Sequence, residues 1–577
     1  ERKLWLERGR AAAVAGAVLS TLASGLLVYF LVSSDFRIAY VAAHTSRNLP
    51  LVYRISAFWA GQEGSLLLWA LVLSWYVAYV SRVTWVRSPL LCARALAVMM
   101  GVEAFFLFLV AFVTSPFATL SPVPPDGMGL NPMLQNVGML LHPVTLYLGY
   151  VGFTVPFAFA LAFLATSCGE PGWLELTRPF TLWSWLFLSA GIILGMQWAY
   201  VELGWGGYWA WDPVENVSLL PWLTATALLH SALVQEKRGT MAGWNVILVV
   251  VTFFLTILGT FLTRSGILSS VHSFAPSGLG LYFLPFMALV AAGSAYLLVR
   301  RWSLVRETRP LESLLSREAA VIVADFLLGA FALVVLWGTV FPLFAAASGG
   351  KQVSVAPGFY LRAAVPFGAL TVVLVGVCPV LAWTRSRLGG AARALAVPTA
   401  LAVAGAGLLA RTVGSQRFSA GAMIGFFAAL LVAFTGLAQV LRDVGARRSS
   451  TGEGWLGALV GLAERNPRRY GALLVHLAVA CMVLGFSGSP FRQEATFILQ
   501  PGQSTQWEGY TLTYRGLNAA HLPHRVSVYA HLEVARAGRA CASWLAAQEP
   551  APPMEEQSST WQQFFLGSLG RRRPPKE

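Results

Sequence analysis

Residues 205–222 read Trp-Gly-Gly-Tyr-Trp-Ala-Trp-Asp-Pro-Val-Glu-Asn-Val-Ser-Leu-Leu-Pro-Trp, and they lie between two long apolar stretches. This short segment holds four of the chain's 21 tryptophans. Rigid aromatic rings beside flexible glycines make a surface suited to a flat, hydrophobic ligand. The alternative is an ordinary interfacial belt, because Trp and Tyr collect at the headgroup level of membrane proteins.

The composition indicates a polytopic membrane protein. The 577 residues are 56% hydrophobic and only 12% charged, with a mean hydropathy of +0.63. A spanning helix needs about 20 apolar residues, and the chain has about thirteen such stretches. The predicted spans are 11–34, 56–80, 90–114, 141–166, 179–201, 218–235, 241–263, 280–299, 320–345, 363–383, 395–412, 419–441 and 470–487. The predicted fold class is therefore an all-α polytopic membrane protein with a small external β-rich C-terminal domain.

The net charge of +15 does not indicate nucleic-acid binding, because the basic residues cluster in alternate loops. The positive-inside rule places those loops in the cytoplasm. The Trp-rich loop and the C-terminal region are then predicted to lie outside. The basic clusters are Arg82 and Arg87; Lys237 and Arg238; Arg300, Arg301, Arg306 and Arg309; Arg385, Arg387 and Arg393; Arg442, Arg447, Arg448, Arg465, Arg468 and Arg469.

Four regions follow from these patterns. We predict a cytoplasmic segment at 1–10, a transmembrane domain at 11–487 with the Trp-rich loop at 202–217, an external β-rich domain at 488–540 and a poorly ordered tail at 541–577. The external loop at 115–140 is rich in turn residues and is expected to be ordered. In the β-rich domain, alternating apolar and polar residues predict strands at 494–499, 509–515 and 525–535, with a turn at 500–503.

Two histidines lie inside predicted spans at matching depths. His230 and His476 are each about six residues from the cytoplasmic end of a helix, roughly 9 Å below that face. Two such histidines are suited to ligate one haem iron axially. Alternatively, each hydrogen-bonds a neighbouring helix. Ionisable residues within a membrane are functional candidates by default.

Two further histidines, His142 and His272, lie at the outer face, and both could approach the Trp-rich loop. The alternative is two unrelated interfacial histidines. His44 is a lone loop histidine that we expect to be solvated. The three histidines of the β-rich domain are interpreted as polar surface residues. A metal cluster is the weakly supported alternative, because strand residues separate two of them; the three are His521, His524 and His531.

Acidic residues flank the tryptophans at Glu202, Asp212 and Glu215. Asp212 precedes Pro213 and is suited to cap the next helix. Glu63 near the outer end of a span either hydrogen-bonds locally or touches a ligand. The five cysteines are widely separated, and no Cys-x-x-Cys exists in the sequence. This pattern disfavours a dithiol shuttle, a cysteine zinc site and self-attachment of haem.

The Trp-rich segment resembles the "WWD" signature of the haem-handling protein superfamily, and other motifs indicate its bacterial CcmF branch. The matching segments are 59–69 (Trp-Ala-Gly-Gln-Glu-Gly-Ser-Leu-Leu-Leu-Trp), 130–135 (Leu-Asn-Pro-Met-Leu-Gln), 142–152 (His-Pro-Val-Thr-Leu-Tyr-Leu-Gly-Tyr-Val-Gly), 236–239 (Glu-Lys-Arg-Gly) and 262–274 (Leu-Thr-Arg-Ser-Gly-Ile-Leu-Ser-Ser-Val-His-Ser-Phe). The resemblance is dense over about residues 35–290 and weaker as far as His476. The family usually has one helix before the point where residue 1 falls, and a longer external domain followed by a final helix.

The resemblance implies a haem lyase, which takes haem from a carrier protein of the CcmE type and joins it to the Cys-x-x-Cys-His motif of apocytochrome c. It implies that His142 and His272 ligate the incoming haem. It also implies that His230 and His476 ligate a resident haem b, which reduces the haem iron with a quinol as the candidate electron source. Further implied partners are thiol-handling and apocytochrome-binding subunits of the CcmH and CcmI type, with the bacterial cytoplasmic membrane as the location.

The haem-binding loop implied by the signature comprises Trp205, Gly206, Gly207, Tyr208, Trp209, Trp211, Asp212, Pro213, Glu215 and Asn216. Arg264 is a candidate partner of a haem propionate, or it marks the membrane edge. The main alternative function is a haem transporter or carrier-loading protein without thioether chemistry, which would not need His230 and His476. A quinol oxidase is a third class, but it needs more helix histidines than this chain has.

Overall fold

The chain folds mainly into long helices. The structure is a computed structural model, and it describes residues 2–83, 88–166, 172–203, 207–268, 270, 272, 278–306, 309–349, 353–413, 419–488, 493–536 and 539–548. The helices are α1 Arg2–Ser33, α2 Ala39–His44, α3 Leu51–Ser56, α4 Gln62–Val83, α5 Pro89–Phe108, α6 Val137–Gly152, α7 Thr154–Ala165, α8 Trp173–Glu202, α9 Pro213–Arg238, α10 Ala242–Ser265, α11 Gly280–Arg300, α12 Trp302–Val305, α13 Arg317–Ala347, α14 Pro357–Val377, α15 Leu388–Val413, α16 Ala420–Thr451, α17 Trp455–Arg465 and α18 Pro467–Ser487.

Within the described ranges, 13 helical segments are long and apolar enough to cross a membrane, and α6 and α7 together form one of them. This confirms the predicted number of spans. Several helices begin earlier than predicted. Among them, α6 and α8 begin at Val137 and Trp173 and contain Pro143 and Pro179 in their interiors. Proline is tolerated inside membrane helices, where neighbouring groups satisfy the freed backbone carbonyls.

The chain divides into two compact units. The first comprises residues 1–24, 65–115 and 141–492, and it contains most of the long helices. Within it, α9 packs against α8, α10 and α13, while α16 packs against α14, α15 and α18. The helices that surround α9 are therefore the ones able to hold a site along it.

The second unit comprises residues 25–64, 116–140 and 493–577. Its two loop segments pair with each other through a backbone bridge between Ile38 and Thr119. The carboxylate of Asp126 accepts a hydrogen bond from the backbone N–H of Arg47. These contacts join the turn-rich loop at 115–140 to the loop at 35–55.

A four-stranded antiparallel sheet follows in the same unit, in the order β1-β2-β3-β4. The strands are β1 Ser504–Trp507, β2 Tyr510–Leu522, β3 Arg525–Arg536 and β4 Arg539–Gln548. Glu508 and Gly509 join β1 to β2 with positive φ at both positions. This is the two-residue turn that hairpins favour.

The sheet differs from the prediction at both ends. Residues 493–500 have no regular structure, so the strand predicted at 494–499 is wrong. Alternation alone does not supply the neighbour that a strand needs for its backbone hydrogen bonds. At the other end, β4 continues to Gln548, beyond the predicted boundary at residue 540. Residues 549–577 of the predicted tail lie outside the described residues.

Candidate functional site

His142 lies where α6 crosses α8 through a row of glycines. A β-carbon added at Gly195 would lie 2.7 Å from Cε1 of His142, and one added at Gly191 would lie 2.8 Å from Cα of Leu146. Further along α6, a β-carbon at Gly149 would meet the backbone of Leu188 at 2.5 Å. Small residues let membrane helices approach closely. The absence of a side chain at Gly195 is therefore what makes room for the imidazole.

The orientation of the His142 ring is set by α8. Its Nδ1 lies 2.7 Å from the backbone carbonyl oxygen of Gly191. A carbonyl oxygen only accepts, so Nδ1 donates the proton and Nε2 carries the lone pair. This is the tautomer that a metal ligand needs, with the second nitrogen fixed by a neighbouring acceptor.

His272 is fixed by a carboxylate. Its Nδ1 lies 3.1 Å from Oδ2 of Asp212, and both side chains are largely buried, with exposed fractions of 15% and 10%. Ser270 donates its hydroxyl to the same Oδ2 at 2.6 Å and accepts the backbone N–H of His272 at 3.0 Å. The ring also meets Trp198 of α8 edge-on, with centroids 5.4 Å apart. Nδ1 of His272 therefore donates to Asp212, and Nε2 carries the lone pair.

The structure brings the two outer histidines together at one end of α8. His142 lies against Gly195 and His272 lies against Trp198. These two positions are three residues apart, about 4.5 Å along the helix. The Trp-rich loop joins α8 to α9 at this same end.

Asp212 also caps α9. Its side chain accepts the backbone N–H of Val214 at 3.0 Å, while the Glu215 carboxylate accepts the N–H groups of Asp212 and Ala210 at 3.1 and 2.9 Å. This is a capping box with Pro213 at the first helical position. Glu215 thus holds the backbone of the loop, and Asp212 joins the loop to His272.

Trp211 is the anchor of the loop. Its φ of +60° is a left-handed conformation that bulky residues avoid. Its ring stacks on Tyr360 of α14 with centroids 5.0 Å apart and planes 3° apart, and it meets Phe331 of α13 edge-on. Asn216, which is fully buried, donates its amide to the backbone carbonyl of Trp211 at 3.1 Å and to Thr339 of α13 at 3.1 Å. These contacts offset the strained backbone.

The other loop residues differ in environment. Trp209 meets Trp211 edge-on at 5.9 Å, and its buried indole N–H has no hydrogen-bond partner among the described residues. Tyr208, next to Gly207, stacks on Phe486 of α18 with centroids 5.4 Å apart. Trp205 and Gly206 lie outside the described residues. Trp209 therefore has a buried indole donor to offer to a ligand.

Arg264 at the end of α10 is almost fully buried, with 1% of its surface exposed. Its guanidinium donates to the hydroxyls of Ser65 and Tyr147 at 2.9 Å each. The predicted contact with a haem propionate remains a prediction. A buried guanidinium places a fixed positive charge near this end of α10, since arginine is never deprotonated in proteins.

His230 of α9 and His476 of α18 face each other. Their ring centroids are 6.2 Å apart and their planes are 9° apart. Nδ1 of His230 lies 2.7 Å from the carbonyl oxygen of Thr226 one turn earlier, so Nε2 carries the lone pair. The equal depths predicted from the sequence correspond to a direct juxtaposition in space.

This pair fits an axially ligated haem iron. Imidazole is a ligand that haem proteins use. Half of the 6.2 Å separation is close to an imidazole ring radius plus a metal–nitrogen bond of about 2 Å.

The lone histidine of the loop at 35–55 is enclosed by its neighbours. His44, expected to be solvated, stacks on Tyr40 with centroids 4.3 Å apart, and its Nδ1 bonds the Tyr40 carbonyl at 2.9 Å. A β-carbon at Gly61 would lie 2.5 Å from its Nε2. Burial lowers the pKa of His44, while Glu63 opposes that shift. The expectation of a solvated His44 is therefore wrong.

In the described part of the chain, no group of three or more His, Cys, Asp or Glu side chains is placed to hold a metal ion. The histidines of the site therefore come in pairs, one pair at the end of α8 and one between α9 and α18.

Several residues of the site carry no catalytic signature in the sequence. Gly191 and Gly195 are spaced as Gly-x-x-x-Gly on a membrane helix, which is the signal that predicts a close helix crossing. Tyr360 and Thr339, which hold Trp211 and Asn216, lie more than 120 residues after the loop. Only tertiary structure could reveal their contribution.

Membrane-spanning helices, paired histidines and a Trp-rich loop together define a polytopic membrane protein with two candidate haem sites. The family model for the cytochrome c assembly protein matches residues 59–268. This range includes His142, the Trp-rich loop and His230.

Relatives that match over most of the chain identify the family more specifically. The chain is 36% identical to the cytochrome c-type biogenesis protein CcmF of Pseudomonas aeruginosa, over 93% of this chain and 81% of that protein. It is 38% identical to CycK of Rhizobium meliloti, over 91% of this chain and 77% of that protein. A solved structure, that of "Cytochrome c Heme Lyase CcmF", superposes with a TM-score of 0.75 at 34% identity, covering 94% of this chain and 82% of that one. The chain belongs to the CcmF family of cytochrome c-type biogenesis proteins.

Proposed function

We propose that this protein is a haem lyase of cytochrome c maturation. It receives haem from a carrier protein of the CcmE type and promotes its attachment to the Cys-x-x-Cys-His motif of apocytochrome c. The observation that carries the proposal is the convergence of His142, His272 and the Trp-rich loop at one end of α8. The similarity to a solved protein named as a cytochrome c haem lyase supports it.

At this site, His142 and His272 would hold the iron of the incoming haem. Gly191 and Asp212 fix the two rings in the tautomers that present Nε2. The carboxylate that accepts from Nδ1 holds His272 more firmly in its ligating orientation. His142, which bonds a neutral carbonyl, is the ligand that the histidine of apocytochrome c would displace more readily.

The reaction joins two cysteine thiols of apocytochrome c to the two haem vinyl groups. Each thiol adds across one vinyl double bond: the S–H bond and the C=C π bond break, one S–C bond and one C–H bond form, and no leaving group is released. The residues of this chain contribute by positioning, because a fixed vinyl beside a fixed thiol turns an encounter into a local reaction. Trp209 would cover one haem face, and Arg264 would pair a propionate.

His230 and His476 would hold a resident haem b. When bound, that haem supplies an electron that keeps the substrate iron ferrous, and a quinol is the proposed source of the electron. His230 is oriented by the Thr226 carbonyl, and His476 meets it from α18. A haem transporter or carrier-loading protein would have no use for this second pair of histidines.

We propose that the Trp-rich end faces the periplasm of a bacterial cytoplasmic membrane. The opposite end of α9 carries basic groups that pair across helices: Arg178 with Glu236 at 2.7 Å, and Arg238 with Glu318 at 3.1 Å. Basic loops remain in the cytoplasm. Apocytochrome c and subunits of the CcmH and CcmI type would then approach from the periplasmic side, where the β-rich sheet would also lie.

The test is the haem spectrum of the purified protein. We expect a b-type pyridine haemochrome and sharp low-spin bands, and a lower haem content in both His230→Ala and His476→Ala. His521→Ala, which removes an exposed histidine of β2, is the matched control and should keep the haem. Full haem content and an unchanged spectrum in both helix variants would refute the resident site. A tag at Gly239 that is accessible from the periplasm would refute the orientation.

A further inference from the structure

Two tryptophans fasten α8 to α9 between the histidine sites through a closed set of hydrogen bonds, which we call the tryptophan clasp. The Trp185 indole donates to the Thr226 hydroxyl at 2.9 Å, and that hydroxyl donates to the Trp222 carbonyl at 2.7 Å. The Trp222 indole donates to the Ser189 hydroxyl at 2.8 Å, and that hydroxyl donates to the Trp185 carbonyl at 2.7 Å. Each indole N–H and each hydroxyl of the clasp is thereby satisfied in an apolar setting.

The two indoles of the clasp also stack. Their ring centroids are 6.0 Å apart and their planes are 25° apart. Leu188 and Ala225 belong to the apolar cluster that packs with them, and both are fully buried. Offset stacks of this kind bring delocalised ring electrons into contact, which saturated side chains cannot do.

The clasp lies midway between the two histidine sites. On α9, Thr226 is one turn, about 6 Å, from His230 and accepts its Nδ1–H. On α8, Ser189 is two residues, about 3 Å, from Gly191, whose carbonyl accepts Nδ1–H of His142. The two stacked rings therefore lie between His142 and His230, and the hydroxyls of Ser189 and Thr226 hold the rings in position.

We propose that Trp185 and Trp222 form the electron path between the two sites. The proposal rests on the proposed function. His230 and His476 would hold the ferrous haem that gives up one electron, and His142 and His272 would hold the ferric haem that takes it up. No proton is transferred and no bond is broken. The stacked indoles would occupy part of the distance between the two iron sites. Saturated side chains would otherwise fill that distance.

A purely structural clasp is the competing explanation, and the residues allow the two to be separated. Ser189→Ala with Thr226→Val breaks the side-chain hydrogen bonds and keeps both rings. Trp185→Leu with Trp222→Leu removes both rings, and the corresponding Phe variants keep a smaller ring without the N–H. Trp183→Leu is the matched control, because Trp183 lies on the same helix with 56% of its surface exposed.

The experiment uses the full chain in detergent, reduced with dithionite that is then removed. Ferric haem is added, and oxidation of the resident haem is followed at its α band by rapid mixing. The His142→Ala/His272→Ala protein gives the background rate without the outer site. Haem content, the position of the α band and the thermal unfolding of each variant are recorded first, so that a loss of the resident haem is not mistaken for slow transfer.

We expect the double Leu variant to keep its haem and its spectrum but to transfer electrons about tenfold more slowly or worse. The double Phe variant should be intermediate, and the Ser189→Ala/Thr226→Val and Trp183→Leu proteins should match the parent. Parent-like transfer in the double Leu variant, or equal slowing in the hydroxyl variant, would overturn the path and leave the proposed function standing. A parent protein without a b-type haem would refute both.

Discussion

Phe486 of α18 stacks on Tyr208 of the Trp-rich loop, with ring centroids 5.4 Å apart and planes 25° apart. The same helix carries His476 ten residues earlier, about 15 Å along its axis. One helix thus contacts the loop at one end and supplies a ligand of the proposed resident haem further down. Since α9 likewise joins Asp212 to His230, two rigid helices fix the spacing of the outer and inner sites.

Gly195→Ala should disable the outer site selectively. The new methyl group would lie 2.7 Å from Cε1 of His142, so the ring must move, at a cost of about 1–3 kcal/mol for overpacking. We expect loss of carrier-delivered haem with the resident haem intact, measured by haem transfer and absorbance. Gly293→Ala on α11, where a β-carbon meets nothing within 4 Å, is the control. Normal haem capture in the Gly195 variant would argue against His142 as a ligand.

Asp212→Asn should weaken the outer site while keeping the helix cap, because Asn also caps helices well. The variant loses the carboxylate that polarises His272, and removing such a hydrogen-bond partner of a metal-binding histidine costs about 10–100-fold in metal affinity. Titration with ferric haem should show this loss in affinity without a change in thermal stability. An unchanged affinity would show that His272 does not bind iron through this arrangement.

Alanine substitutions of Trp211 and Trp209 should differ in their effects on loop mobility and haem capture. Trp211→Ala removes the stack on Tyr360, which is worth about 0.5–1.5 kcal/mol beyond its buried area. Hydrogen exchange of residues 207–212 should then accelerate even in haem-free protein. Trp209→Ala should leave that exchange unchanged and reduce haem capture. Faster hydrogen exchange of residues 207–212 only in the Trp209 variant would contradict the anchoring role of Trp211.

His44 should make the loop segment at 39–64 sensitive to acid. Because burial lowers the pKa of His44 below its ordinary value of about 6.5, the folded state holds a neutral ring where the unfolded chain takes up a proton. The stabilising contribution is complete above about pH 6.5 and declines as the pH falls toward the lowered pKa. His44→Asn should remove this decline, measured as hydrogen exchange between about pH 7.5 and pH 5. Equal pH dependence in parent and variant would show that a group other than His44 causes the acid sensitivity.

Much of the fold could be predicted from the sequence because each spanning helix must satisfy its own backbone, which forces long apolar runs. The equal depths of His230 and His476 are readable for the same reason, since depth in a helix follows from residue counting. Counting does not say which helices are neighbours, however. The sequence therefore suggests the pairing of these two histidines, and the packing of α9 and α18 in three dimensions is what brings their rings together.

What could not be predicted depends on tertiary contacts. Tyr360 and Thr339 fix the Trp-rich loop from α14 and α13, and no local pattern marks them. The sequence suggests a solvated His44. Only the three-dimensional structure shows that Gly61 leaves room for the His44 ring. The tryptophan clasp needs two Trp-x-x-x-Ser/Thr patterns on neighbouring helices to be recognised as one unit.

The most direct test of the account is the yield of covalently haem-labelled cytochrome c made by the His142→Ala/His272→Ala protein. We predict that this yield falls to background while the resident haem b remains bound at His230 and His476, because the outer ligands are removed and the inner pair is untouched. Imidazole added to the medium should restore part of the yield if only iron ligands are missing. A normal yield of labelled cytochrome c from the double variant would contradict a lyase site at this end of α8.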